Sequence, residues 1–269
     1  MVPSFVSSSS SSWVEIDSNS DFSLQNFPFG VFSVSSSSSD NHDHQPRCAS
    51  AIGSYVIDLQ ELANEHIFDD YLPDACEVFG SSSLNAFMSK PKYIWTKVRQ
   101  SLIQLFLLEG DDGRLSSNIE LQKRVLIPMN CDDDTKNVIM HLPAVIGDYT
   151  DFYSSKEHAT NVGTMFRGKE NALNDNWLSL PVGYHARSSS VFVSGTDIVR
   201  PCGQILTSLP NNDGPPNVSL KPTEKLDFEL EMAFFIGGQP NIPGSSISMK
   251  NANDYIFGFT LMNDWSGKK

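Results

Sequence analysis

Residues 141–172 combine carboxylates, phenols, an imidazole and a guanidinium with almost no apolar periodicity. The side chains with chemical potential in this segment are Asp148, Tyr149, Asp151, Tyr153, His158 and Arg167. Burying so many polar groups would require a hydrogen-bond partner for each of them. The composition therefore predicts a functional loop, and an ordinary solvated connection is the alternative.

A second group of candidate residues lies in the alternating run at residues 226–238. Residues two apart in a strand share a face, so Glu229 and Glu231 are predicted to point together. The residues that face the other way are predicted to enter a core: Phe228, Leu230 and Met232. Two neighbouring carboxylates repel unless a proton or a cation lies between them, and a divalent ion is one way to neutralise them. A solvated acidic strand face is the alternative.

His158 and Arg167 are candidates for proton transfer and for anion binding. A neutral imidazole in a polar setting takes a proton from water near neutral pH, although a lone histidine is more commonly a surface or core residue. A guanidinium holds a carboxylate through a planar fork. Arg167 has a structural alternative in an ion pair with Glu170.

The elements that must position these residues differ between the two halves of the chain. Residues 27–34 and 54–59 are predicted strands of a small β-barrel module, separated by a loop rich in serine and histidine at 35–46. Residues 92–108 predict a helix with a core stripe: Ile94, Trp95, Val98, Leu102, Leu105 and Phe106. Further along, strands are predicted at 189–195, 226–238 and 254–265, with a long irregular loop at 209–222. We expect a disordered serine-rich tail at 1–20, an N-terminal domain at 21–140 and a second domain at 141–269.

Composition excludes several classes of partner and location. A net charge of −13 and a pI near 4.7 argue against nucleic acid, whose binding depends on clustered Lys and Arg. The four cysteines, among them Cys131, lack metal-site or disulfide-scaffold spacing and are predicted to be free thiols. No apolar run reaches the roughly 18 residues of a membrane span. We therefore expect a cytoplasmic protein that does not bind membranes.

Several long motifs resemble the fumarylacetoacetase family, that is, the fumarylacetoacetate hydrolases. Besides residues 141–172, they are LPVGYHARSSSVFVSGT from Leu180, LDFELEMAFFIGG from Leu226 and IFGFTLMNDWS from Ile256, while DFSLQNFPFGVFS at 21–33 resembles the family's N-terminal domain. The resemblance implies a fold that is mainly β with some α. It further implies a small SH3-like β-barrel followed by an incomplete mixed sheet (β-roll) that forms the catalytic domain.

The resemblance also implies a reaction and a set of site residues. The family hydrolyses a carbon–carbon bond of fumarylacetoacetate to give fumarate and acetoacetate, the last step of tyrosine and phenylalanine degradation. The residues that match its calcium- or magnesium-binding carboxylates are Asp151, Glu229, Glu231 and Asp264. His158 matches the water-activating base, and the positions that match substrate-binding residues are Tyr153, Arg167 and Tyr184. Family members are expected to be homodimers.

The chain departs from the family pattern at its end. Family members continue well past the Asn263–Ser266 motif, and Lys268 stands where the motif has arginine. We therefore expect a chain truncated at its C-terminus, which lacks the glutamate that orients the base. A catalytically inactive product that binds metal or a full-length subunit stays open as an alternative. So does another enzyme of the superfamily, such as a decarboxylase, an isomerase or an acylpyruvate hydrolase, although the N-terminal domain favours fumarylacetoacetase.

Overall fold

A computed structural model describes residues 11–36, 45–109, 112–129, 136–208 and 217–268. The helices are α1 (Leu59–Asn64), α2 (Ala75–Phe79), α3 (Asn85–Met88), α4 (Lys92–Phe106), α5 (Ile119–Val125), α6 (Lys156–Arg167) and α7 (Met249–Ala252). The strands are β1 (Gly30–Ser36), β2 (Arg47–Ile52), β3 (Tyr55–Asp58), β4 (Leu126–Pro128), β5 (Lys136–His141), β6 (Tyr149–Phe152), β7 (Gly183–Ala186), β8 (Cys202–Ser208), β9 (Asn217–Pro222), β10 (Lys225–Asp227), β11 (Leu230–Ile236), β12 (Ile256–Asn263) and β13 (Ser266–Lys268). Short 3₁₀ turns lie at Lys169–Asn171 and Asn253–Tyr255.

The chain divides into two compact units, one formed by residues 144–194 and the other by the residues before and after them. The fold is mainly β with some α, as the family resemblance implies. Parts of three predicted features lie outside the described residues: residues 1–10 of the tail, residues 37–44 of the loop at 35–46, and residues 209–216 of the loop at 209–222. Cys131 also lies outside them.

The larger unit begins with an antiparallel sheet in the strand order β4-β3-β2-β1-β5. Phe32 and Val34 of β1 are buried, and all six residues of β2 are buried. Strands β1 and β3 confirm the two predicted strands, whereas β2 was not predicted. The SH3-like barrel is not confirmed, because within the described residues β4 and β5 each pair on one side only and the sheet stays open.

Helix α4 confirms the predicted helix and its core stripe. It begins directly after Pro91, where a first turn tolerates proline, and all six residues of the stripe are buried. Trp13 stacks on Phe106 with ring centroids 5.7 Å apart, its indole N–H donates to the Leu105 carbonyl at 2.8 Å, and Val14 is buried. The predicted disordered tail is therefore wrong for residues 13 and 14, whose apolar side chains pack against the end of α4.

The segment predicted as a functional loop contains β6 and α6, so that prediction is wrong about its structure. The predicted strand at 189–195 is also wrong, because turns at 189–190 and 194–195 interrupt it. Gly195 adopts a left-handed φ of 88°, which a strand does not use. Conversely, β8 and β9 pair in antiparallel register, so part of the predicted irregular loop at 209–222 is a strand.

Strands β11 and β12 form an antiparallel two-stranded sheet that confirms the two predicted strands. Their alternation is as expected, with Glu229 and Glu231 half-buried on one face. The predicted core on the other face is wrong: Phe228, Leu230 and Met232 are 64%, 76% and 66% exposed. In the described part of the chain, packing covers this sheet at its other end, where Phe257 lies 5.1 Å from Trp95 between ring centroids.

Of the described helices, none combines the length and the apolar character that crossing a bilayer requires. Cys48, Cys76 and Cys202 are free thiols, in agreement with the sequence prediction. Cys48 is buried, whereas the other two are exposed.

Candidate catalytic and metal-binding residues

In the smaller unit, a short antiparallel ladder positions the first candidate residues. Asp151 of β6 lies directly opposite Tyr184 of β7, so their side chains project from the same face. Asp151 is half-buried, and Tyr184 is 61% exposed. The ladder thus presents a carboxylate and a phenol side by side.

Helix α6 begins one short turn after β6 and carries His158 in its first turn. Ser155 caps the helix, because its hydroxyl accepts a hydrogen bond from the His158 backbone N–H at 3.3 Å. A side chain in a first turn points toward the helix N-terminus, and the imidazole of His158 is exposed. The cap therefore fixes the backbone of His158, while its imidazole stays accessible to solvent.

Tyr153 connects β6 to α6. Its backbone N–H donates to the Val182 carbonyl at 2.9 Å, and its hydroxyl donates to the Ala159 carbonyl at 3.2 Å. Its ring lies edge-on to that of His158, with centroids 6.1 Å apart and an interplanar angle of 82°. The structure therefore brings two of the predicted site residues, Tyr153 and His158, into contact.

Arg167, at the C-terminal end of α6, binds the chain that follows the helix. Its Nε donates to the Asn171 carbonyl at 3.1 Å, and its Nη2 donates to the Ala172 carbonyl at 2.7 Å. The same carbonyl of Ala172 lies so close to Gly163 that an added Cβ would be only 1.7 Å from it. Arg167 and Gly163 together hold the turn after the helix against α6.

In the larger unit, the β11–β12 sheet carries the other candidate carboxylates. Glu229 and Asp264 exchange both backbone hydrogen bonds, at 3.1 and 2.9 Å, which places their side chains on one face. Glu231 lies two residues further along that face, and its ligand oxygen and that of Asp264 lie within 4.8 Å of one another. The Ser266 hydroxyl donates to Glu229 Oε1 at 2.8 Å. Three half-buried carboxylates therefore share one end of this sheet.

Several residues that shape these groups were not predicted from the sequence. Ser155 had a readable signal, because a serine followed by an acidic residue, here Glu157, in the first turn is typical of a helix start. The other roles depend on tertiary contacts that no short sequence pattern reveals: Gly163 with Ala172, Trp177 with Tyr153, and Ser266 with Glu229.

Two family models match the chain, one after the other along the sequence. Fumarylacetoacetase N-terminal matches residues 25–143, and Fumarylacetoacetate (FAA) hydrolase C-terminal matches residues 148–269. The chain belongs to the fumarylacetoacetase family. All the candidate residues lie within the second of these matches, the hydrolase part of the family.

Individual relatives agree with this family assignment. The chain is similar to the fumarylacetoacetase of Caenorhabditis elegans, with 48% identity over 258 residues, which are 96% of this chain and 57% of that protein. It is 45% identical over 257 residues to the fumarylacetoacetase of Dictyostelium discoideum and 41% identical over 257 residues to that of Arabidopsis thaliana, in each case covering 96% of this chain and 56% of the relative. The chain thus spans a little over half the length of these relatives.

Proposed function

We propose that the chain acts as a fumarylacetoacetate hydrolase, which splits a carbon–carbon bond of its substrate to give fumarate and acetoacetate. The observation that carries this proposal is the convergence of the Glu231 and Asp264 carboxylates, with Glu229 on the same face, at one end of a sheet within the segment that matches the family's hydrolase part. Such carboxylates are expensive to place together unless a cation neutralises them. This grouping of carboxylates therefore favours metal binding and catalysis over a purely structural role for these residues.

The donor chemistry fits a divalent ion of the calcium or magnesium type. Calcium binds carboxylate oxygens at about 2.3 to 2.6 Å, so two oxygens on opposite sides of one ion lie up to about 5 Å apart. The oxygens of Glu231 and Asp264 lie within 4.8 Å of one another, close enough to bind one such ion. We propose that Glu229 and Asp151 complete the ligand set. An all-oxygen set of this kind favours calcium or magnesium over zinc.

The bound ion would supply Lewis acidity that polarises the two oxygens of the β-diketone. His158 would take the proton from the water molecule that attacks the carbonyl carbon, since its exposed imidazole in the first turn of α6 is open to water. The Tyr153 ring beside it limits the positions that the imidazole can adopt. The bond between the attacked carbon and the acetoacetate portion then breaks, and that portion leaves as a carbanion that takes up a proton.

Three residues are proposed to hold the substrate: Tyr153, Arg167 and Tyr184. Tyr184 offers an exposed phenol on the face it shares with Asp151. Arg167 already uses Nε and Nη2 for backbone carbonyls, so a substrate carboxylate would be bound through Nη1. This arrangement gives Arg167 a fixed guanidinium, which lowers the entropy lost on binding.

A second candidate function is that of a catalytically inactive family member that binds metal or a full-length subunit. The exposed apolar face of β11 favours it, because large exposed apolar patches commonly mark contact surfaces. From the family we also infer a homodimer for full-length members, and not for this chain alone, and a cytoplasmic location. Light scattering after size-exclusion chromatography tests the dimer, and localisation of a tagged full chain tests the compartment.

The discriminating experiment measures calcium binding and fumarylacetoacetate hydrolysis on the same set of purified variants. His158→Ala should abolish hydrolysis and leave calcium affinity unchanged, because it removes a proton acceptor and no ligand. Glu231→Gln should weaken calcium binding at least tenfold, since one charged ligand is lost. Glu224→Gln, an exposed carboxylate in a loop, is the matched control and should change neither.

Three outcomes would change the proposal. Calcium binding without hydrolysis in the wild-type chain would support the noncatalytic candidate. Hydrolysis that survives His158→Ala would remove this residue from the reaction. Unchanged calcium affinity in Glu231→Gln would show that Glu231 is not a ligand and would overturn the proposed metal site.

A further inference from the structure

We propose that Trp177 is a positioning residue that fixes Tyr153, and through it the imidazole of His158, for the proposed hydrolysis. The inference rests on the proposed function of the same site. It concerns a residue outside the predicted site residues, which contacts one of them, Tyr153, and Tyr153 in turn contacts His158.

Tyr153 directly follows β6 and still forms a backbone hydrogen bond with the segment that leads into β7, before the chain turns into α6. Its backbone N–H is held by the Val182 carbonyl and its hydroxyl by the Ala159 carbonyl. Its own carbonyl accepts the indole N–H of Trp177 at 2.9 Å, from 24 residues further along the chain. All three polar groups of Tyr153 are thus engaged, each by a different segment.

Trp177 contributes a donor and a ring to this arrangement. The indole N–H can only donate, so a buried or half-buried tryptophan is well suited to satisfy a carbonyl that has left a ladder. Its ring also lies edge-on to that of Tyr153, with centroids 6.5 Å apart and an interplanar angle of 88°. The Trp177 backbone N–H donates to the Asn174 carbonyl at 2.9 Å, which closes the turn that presents the indole.

The consequence for His158 follows from the shared neighbour. Tyr153 lies edge-on to both Trp177 and His158, and its hydroxyl bonds the first turn of α6. If the indole is lost, Tyr153 keeps its two other hydrogen bonds, but its carbonyl loses its donor and one side of its ring loses a neighbour. The Tyr153 backbone and ring can then move more. The imidazole would then lose a defined neighbour, and a small displacement of a catalytic group is enough to slow a reaction strongly.

Two variants separate the donor from the ring. Trp177→Phe keeps an aromatic ring and removes the N–H, whereas Trp177→Gln keeps a donor and removes the ring. Leu178→Ala is the matched control, since Leu178 is the adjacent residue and its side chain is 70% exposed. Nuclear Overhauser contacts between the rings of Tyr153 and His158, in the full chain with labelled Tyr and His, report position without requiring activity. The second readout is kcat and KM for fumarylacetoacetate.

We expect both variants to weaken the ring contact and to lower kcat about tenfold with KM nearly unchanged, whereas the control changes neither. An unchanged ring contact in a folded variant overturns the proposal, even if kcat falls. Global unfolding of both variants also overturns it, because Trp177 would then be purely structural. If the wild-type chain shows no hydrolysis, the proposed function fails, and the ring contact alone decides whether Trp177 positions Tyr153 and His158.

Discussion

The five-stranded N-terminal sheet (β4-β3-β2-β1-β5) and the β11–β12 sheet both carry large apolar side chains, but the two sheets have opposite surroundings. Phe32 in β1 is completely buried, whereas Leu230 and Met232 in β11 are largely exposed. The difference arises because helices and neighbouring strands cover the first sheet, and in the described residues that face of β11 is open to solvent. Alternation therefore establishes which residues share a face, but burial depends on what packs against that face.

The acidic residues of these two regions also differ, in how their charge is compensated. Asp58 is fully buried, but Arg47 Nε donates to it at 2.6 Å and the N–H groups of Gln60 and Glu61 donate to it at the start of α1. Glu231 and Asp264 instead bring two like charges within 4.8 Å. A buried carboxylate that is paired with an arginine of the same chain is typical of a structural ion pair. Converging carboxylates are typical of a ligand site.

The largest expected contrast between the regions is in thiol reactivity. Burial, together with the nearby charge of Asp58, raises the pKa of the Cys48 thiol to about 12. Cys202 in β8 is exposed. A thiolate-directed reagent at pH 8 should therefore modify Cys48 at least about a thousandfold more slowly than Cys202. Mass spectrometry of the two peptides measures both rates, and unfolding in urea should make them equal. Equal rates in the folded protein would show that the N-terminal core opens readily.

The next largest effect is expected at the buried ion pair. Arg47→Leu leaves the carboxylate of Asp58 buried without its cation and should cost about 3 to 5 kcal/mol of unfolding free energy. Equilibrium unfolding in urea measures this loss. Lys123→Leu, which removes an exposed partner of Glu120, is the control and should change stability by less than about 1 kcal/mol. A similar small change in Arg47→Leu would mean that solvent reaches Asp58.

The sequence predicted most of what depends on local periodicity. The stripe of α4 and the strands β11 and β12 were predicted from local sequence, whereas the pairing of these two strands was not. It failed where distant contacts decide the structure. Residues 141–172 lack an obvious apolar pattern because Gly163 and Ala159 provide the packing face of α6, and small residues carry little hydrophobic signal. The metal and substrate roles came from family resemblance, since no spacing rule links Glu231 to Asp264.

Gly163 allows a test of how tightly the smaller unit holds α6. Gly163→Ala would place a Cβ 1.7 Å from the Ala172 carbonyl oxygen, so the turn that Arg167 holds must move. We expect a loss of about 1 to 3 kcal/mol. Hydrogen exchange of the α6 amides should accelerate accordingly. Gly147→Ala is the control, because no heavy atom lies within 4 Å of its added Cβ. Unchanged exchange in Gly163→Ala would show that Ala172 does not pack on the helix.

The smallest expected change in stability tests the exposed face of β11 directly. Met232 and the opposite residue Leu261 are 66% and 69% exposed, so Met232→Lys removes no buried contact on that face. It should alter the unfolding free energy by no more than about 0.5 kcal/mol. By contrast, Phe32→Ala in the N-terminal sheet should cost about 3 to 5 kcal/mol. The same Met232→Lys change should reduce concentration-dependent association in light scattering, because a charge interrupts an apolar patch. If Met232→Lys destabilises the chain as much as Phe32→Ala does, this face is covered in solution and the contrast between the two sheets is wrong.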